Sequence, residues 1–360
     1  MKKHLLYFFC FCVVASSLNA QKNFGADLKL LQKKEDSLQI LAKNLIVDSL
    51  TAQRMRNDSL FIRTLVRTLQ IKNSFYYPFD SVQGISKLYA PDSAFRIFTW
   101  GLDFDDYYSR QRGAIQFKTP DGSLSLVPLR DISEFTDKPN DSIRNKDNWI
   151  GAVYYNIIKT QHNGKSYYTL FGYDDNSVRT NKKWIEVMTL NEKNQPVFGN
   201  AVFSYEMDSV KRRPQNRYSI EYKKGARILV DFVEEEGIIL VDHLISETDE
   251  PDKPYTFIPD GDYEGFKWTN GKWLHIDKVF NFKLKDGEFP MPDAIRDEKG
   301  NNNEEKLNQQ SEKNKNSKPV KKQVPKKPGK KDQARSLKGG ISLKEINFPL
   351  LCIVSSANEA

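Results

Sequence analysis

Two Asn-Gly pairs, Asn163-Gly164 and Asn270-Gly271, each stand between runs of aromatic and β-branched residues. A two-residue type I′ turn needs positive φ at both central positions, which Asn and Gly tolerate. The flanking runs are thereby set as antiparallel neighbours. Around the first pair the segments 95–100, 107–117, 149–158, 167–173 and 184–189 all fit a pleated, half-buried surface. Thr119-Pro120-Asp121-Gly122, Asp174-Asp175-Asn176 and the stretch 191–196 supply turns, and the polar stretch 133–146 reads as a surface loop. Further strands are expected at 201–206, 218–222, 227–234 and 237–245. Trp268 and Trp273 flank the second Asn-Gly pair and are expected to pack across strands.

Before the strands, residues 26–72 carry helical periodicity. Leu31, Leu38 and Leu45 fall seven apart, and Leu28, Leu41, Leu60, Ile62, Leu65 and Leu69 widen the apolar stripe. Asp-Ser-Leu recurs at Asp36, Asp48 and Asp58, so the stretch reads as one long helix or as two or three shorter ones. Two roles stay open for it: self-association as a short coiled coil, or packing on the protein's own sheet.

The two ends differ in character from the middle. Lys2 and Lys3 precede the apolar run Leu5 to Ala15, and a polar, small-residue stretch ending at Ala20 follows. That is the plan of an export leader cleaved after Ala20, with a soluble product that is periplasmic, cell-surface or secreted. Cys10 and Cys12 would leave with it, and Cys352 alone cannot build a disulfide framework. Beyond the leader no apolar run approaches the roughly 20 residues that cross a bilayer.

The net charge of +8 is a property of the tail. Residues 299–338 hold thirteen Lys or Arg against four Asp or Glu, and the last 22 residues net −1. With the two leader lysines set aside, residues 21–298 net −2. From 299 to 338 there is no aromatic residue and little to bury, so this Lys/Pro-rich segment is expected to be disordered. Lys318, Lys321, Lys322, Lys326, Lys327, Lys330 and Lys331 would concentrate on a polyanion, and in an exported chain that is an anionic envelope component. Interleaved aromatics are absent there, so nucleic-acid base stacking is not indicated. Residues 339–360 carry an apolar patch, Phe348 to Val354, that continues no upstream pattern.

Few groups suggest chemistry. His162, His243 and His275 lie outside metal-ligand spacing of one another, and no Cys pair remains, so neither a metal nor a cofactor is indicated. Asp242 and His243 would point to opposite faces of a strand. Asp103, Asp105 and Asp106 fall in one loop, and Asp174 and Asp175 in another. Such carboxylates could hydrolyse a glycosidic bond if held about 5–10 Å apart, but Asp also favours turns for backbone reasons. Asp260-Gly261-Asp262-Tyr263-Glu264-Gly265 opens like a calcium loop without its twelfth-position Glu, and reads as a turn. Tyr107, Tyr155, Tyr168, Trp184, Trp268 and Trp273 are candidates for a platform that stacks on sugar rings or a peptide.

The run Ala94-Phe95-Arg96-Ile97-Phe98-Thr99-Trp100, with Gly113-Ala114-Ile115-Gln116 and Phe198-Gly199, resembles a group of uncharacterised exported bacterial proteins. The resemblance covers roughly 75–280 and implies a signal peptide, a helical N-terminus and a β-rich body, with no function attached.

The sequence therefore predicts a leader (1–20), a helical segment (21–73), a β-rich body (74–298), a basic tail (299–338) and an unassigned extension (339–360). The fold class is mainly β, an antiparallel meander closing into a sandwich or curved sheet. The expected function is a non-enzymatic envelope binding or scaffolding protein. A carbohydrate-acting hydrolase and an assembly subunit joined through the N-terminal helices are the alternatives.

Overall fold

The computed structural model describes residues 2–105 and 108–280, with side chains from residue 25 onward. The side chains of the expected leader, Asp106, Tyr107, the lysine tail and the C-terminal extension lie outside the described residues.

Helix α1 (Lys2–Val47) and helix α2 (Thr51–Leu69) form a hairpin broken at Asp48-Ser49-Leu50. Of the three Asp-Ser-Leu sites only the one at Asp48 breaks the helix; Asp36 and Asp58 sit inside helices. Arg54 braces the corner, donating to the Asp48 carbonyl at 2.8 Å and to the Asp103 carbonyl at 2.9 Å. Leu31, Leu38 and Leu45 all point inward, where they meet Phe61, Leu65 and Leu69 of α2 and Phe98 and Trp100 of the first sheet. Among the described residues no helix is long and apolar enough to cross a membrane.

Three sheets follow. The first joins β1 (Ser86–Tyr89), β2 (Phe95–Asp103), β3 (Ser109–Phe117) and β4 (Ser125–Leu129) in an antiparallel meander. The second runs β5 (Arg144–Asn145), β9 (Pro196–Phe198), β8 (Thr180–Leu190), β7 (Lys165–Asp174), β6 (Val153–His162). One edge of β8 is shared: Met188–Leu190 takes β9, and Thr180–Glu186 takes β11 (Arg217–Lys223). The third runs β10 (Phe203–Ser204), β15 (Lys272–Ile276), β14 (Phe257–Thr269), β13 (Ile238–Ser246), β12 (Val230–Val233). Both Asn-Gly pairs form the expected turns, with φ of 48° and 74° at Asn163 and Gly164, and 50° and 81° at Asn270 and Gly271. The meander is broken where β5 pairs β9 and β11 pairs β8, and among the named strands β10 and β15 pair in parallel.

Alternation along the strands shows how these sheets stack. Phe95 and Ile97 of β2 join Leu170, Trp184 and Met188 of the second sheet in one core, whereas Phe98 and Trp100 face the helices. Phe171, Ile185 and Val187 turn the other way, onto Val230, Ile239, Val241, Phe266 and Trp273 of the third sheet. The order is helix hairpin, first sheet, second sheet, third sheet. The middle sheet is covered on both faces, which is why its strands are apolar at consecutive positions.

Two sequence expectations need correcting. Asp260 to Gly265 is not a free turn but part of the thirteen-residue strand β14. There the ladder with β13 jumps from Asp242↔Tyr263 to Leu244↔Pro259, so residues 260–262 bulge opposite His243. The stretch 201–206 contributes only the two residues of β10.

Candidate functional site

The loop end near Asp103 gathers most of the carboxylates that the sequence singles out. Asp103 closes β2, Asp174 closes β7 and Asp175 follows it. Desolvation, and then repulsion from Asp175, push Asp103 above the ordinary carboxylate range, against the pull of Arg54 and Lys224. Asp175 accepts from the Tyr173 hydroxyl at 2.9 Å and pairs with Lys224 at 3.0 Å. Burial also raises Asp174, whose Oδ1 accepts from Gln111 Nε2 at 3.0 Å and from the Asn176 amide at 2.9 Å.

The centre of this end is Asp131, which sequence reading passed over. Its carboxylate accepts from the backbone N–H groups of Gln111, Ser133 and Gly151 at 3.0, 2.9 and 3.1 Å. A side chain built on Gly151 would meet that carboxylate at 2.5 Å. Asp131 thus ties the first sheet to the chain entering the second. Geometry of this kind fixes loops: each oxygen is engaged by fixed donors, unlike a general base held ready for a substrate proton.

The candidate aromatic residues lie at different depths. Tyr168, Trp184 and Trp273 are core residues, and the Tyr155 hydroxyl is turned inward to the Val230 carbonyl at 2.6 Å. Tyr168 donates to Asp92 at 2.8 Å, and the Trp273 indole donates to Thr169 at 3.1 Å. Trp268 is half-buried between Tyr167 and Trp273. Tyr107 lies outside the described residues.

Elsewhere a cluster appears that local spacing could not reveal. His275 on β15 is buried between Asp208 and Glu264, at 2.9 and 3.1 Å. Glu264 also accepts from the Tyr218 hydroxyl, and Asp208 pairs with Arg212 at 2.8 Å. The guanidinium of Arg212 lies 3.9 Å from the centre of the Tyr205 ring. His243 makes a separate, exposed pair with Asp260 at 2.8 Å. Among the described residues no group of three His, Cys, Asp or Glu side chains is arranged to hold a metal ion.

Two buried arginines complete the polar interior. Arg217 pairs with Glu186, both within the second sheet, and Tyr154 donates to the same carboxylate at 2.6 Å. Among the described residues Arg96 meets no carboxylate; the carbonyls of Tyr77 and Ser74, the Tyr89 hydroxyl and Gln116 satisfy its donors. Four aromatic rings surround it, and burial lowers it to about 10. A cleft of about 360 Å³ between Phe117, Val127, Leu190 and Asn194 contains Lys118 and Lys193 but none of the candidate carboxylates. No protein-family model matches the chain, and no curated protein matches it in sequence.

Proposed function

We propose that this chain is an exported, non-enzymatic binding or scaffolding protein of the cell envelope, with the β body as platform and the basic tail as an electrostatic tether. The observation that carries the reading is Asp131, whose carboxylate holds three backbone amides at the loop end where a hydrolytic pair would have to sit. Asp174 and Asp175 are likewise engaged by an amide and a cation. The charge contrast supports the tether, since a body near neutrality precedes a segment of +9.

Full-length protein is mixed with isolated envelope fractions and sedimented at rising salt. Co-sedimentation is expected to fall as salt rises, and to be lost when the seven lysines from Lys318 to Lys331 are changed to Gln. Unchanged binding by that variant overturns the tether. The specific observation on the hydrolase side is that Asp103, at the close of β2, and Asp175, just after β7, come near enough to interact. Release of reducing sugar from envelope polysaccharide, lost in both D103N and D175N, overturns the non-enzymatic reading.

A further inference from the structure

We propose that the outward face of the α1–α2 hairpin docks onto an anionic lipid surface, independently of the tail. With Leu31, Leu38 and Leu45 turned inward, the opposite face of α1 carries Lys29, Lys33, Asp36, Ile40, Lys43 and Val47. Their spacing of four, three, four, three and four keeps them on one helical stripe. The outward residues of α2 include Arg56, Arg63 and Arg67. Lys29, Lys33, Lys43, Arg56, Arg63 and Arg67 are all exposed, and none takes part in an ion pair among the described residues.

Opposing charge has been removed from this face. Glu35 turns inward to Tyr77 and the Ser81 amide, and Asp58 to Trp100 and Arg112. Asp48 accepts from Asn57 at 2.6 Å. Asp36 and the half-exposed Asp27 and Asp48 are the acids left facing solvent.

Charge alone would suit any polyanion. The hairpin corner decides among them, because apolar side chains stand open there among the cations. Val47 is 61% exposed, Leu50 64% and Met55 44%. Ile40, two steps back from Val47 along the same stripe, is 61% exposed. A polysaccharide or nucleic-acid chain offers such groups no apolar phase, whereas a bilayer takes an interfacial helix about 5–10 Å into its headgroup boundary. Cations at the headgroups and aliphatic groups below them are the pattern that anionic lipid satisfies. Arg54 holds the corner to the carbonyls of Asp103 and Phe104, so the wedge is presented on a fixed base.

Full-length protein is tested by flotation with vesicles of phosphatidylglycerol and phosphatidylcholine, and with vesicles of phosphatidylcholine alone. Binding to the anionic vesicles only is expected. K33Q/K43Q/R56Q/R63Q should lower partitioning by about a hundredfold or more, because each cation near such a surface contributes several-fold. V47S/L50S/M55S should lower it while leaving any binding to heparin unchanged. The lysine-tail variant should keep the sensitivity to both sets. The two sets alter different exposed residues and are compared at equal melting temperature, so misfolding of one leaves the other decisive. Wild-type binding by both variants overturns the proposal and assigns any vesicle binding to the tail or the N-terminal apolar run. Equal loss on heparin for the apolar set, or no binding to anionic vesicles, also overturns it.

Discussion

His275 Nδ1 lies 2.9 Å from the Asp208 carboxylate, joining β15 to a loop 67 residues earlier in the chain. Burial pulls the imidazole's pKa down, but hydrogen bonds to Glu264 and Asp208 prevail and raise it above its ordinary 6.5. The same contacts outweigh burial at the two carboxylates and lower both. The sign follows from linkage. A raised histidine contributes its full stabilisation below the unfolded value and loses it as pH rises through the folded one. The lowered carboxylates contribute theirs above the ordinary carboxylate range and lose it as pH falls through their folded values. The contribution of the cluster is therefore greatest between about pH 5 and 6.5. Melting temperature measured against pH should fall on the alkaline side of that window, and H275Q should flatten the fall. An unchanged pH profile in H275Q would show that the cluster does not couple to folding.

Glu186 and Arg217 are both buried, and the guanidinium also donates to the Pro139 carbonyl at 2.8 Å and the Phe198 carbonyl at 3.1 Å. Removing one partner strands a charge in the second sheet. E186Q and R217M should each cost about 3–5 kcal/mol in denaturant melts. The double variant should cost less than the two together, with a coupling of about 1–3 kcal/mol. It should still fall short of wild type, because the carbonyls that Arg217 served lose their donor. Simple additivity would mean that the pair is not the source of the loss.

Asp58 docks the helix hairpin on the first sheet. Its Oδ1 accepts from the Trp100 indole at 2.9 Å and its Oδ2 from Arg112 at 3.2 Å, with the carboxylate almost wholly buried. D58A leaves a buried indole N–H without an acceptor and should cost about 1–3 kcal/mol. D58N keeps that acceptor and gives up the attraction to Arg112, whose side chain is 35% exposed, so it should cost less than D58A. Urea midpoints for the two variants check the order, and a reversal would place the larger share on the ion pair.

The hairpins and helices were legible because their signals are local. Asn163-Gly164 fixes its turn within two residues, and the leucines at 31, 38 and 45 fix a buried helix face. The layering was not, since the doubled tyrosines Tyr154 and Tyr155 place one ring on each face of β6 without telling what covers either face. In the fold both are covered, Tyr154 by the first core and Tyr155 by the second, because β6 lies between two sheets. Tyr168 and Trp184, on neighbouring strands of the same middle sheet, are covered likewise. β14 was missed because Asp260-Gly261-Asp262 carries turn residues, and here they serve a bulge inside a strand. The His275 cluster draws on positions 208, 264 and 275 from separate elements, and no spacing rule connects them.

Asp103 and Asp131 belong to the same loop end but should respond in opposite ways. Asp131 holds three backbone amides between the first and second sheets, so D131A releases three part-buried donors at once. A loss of about 2–4 kcal/mol is expected, lowering the melting temperature by several degrees. Asp103 is raised by desolvation and by Asp175, which means that its charged form is held at a disadvantage in the fold. Such a group contributes stability below its unfolded value and loses it as pH rises through the folded one. At neutral pH, D103N should therefore leave the melting temperature equal to or above that of wild type. Below the carboxylate range wild-type Asp103 is protonated, and the difference should vanish. A clear loss of stability in D103N at neutral pH would show that Asp103, like Asp131, is a clamp, and would remove it from the hydrolase reading as well.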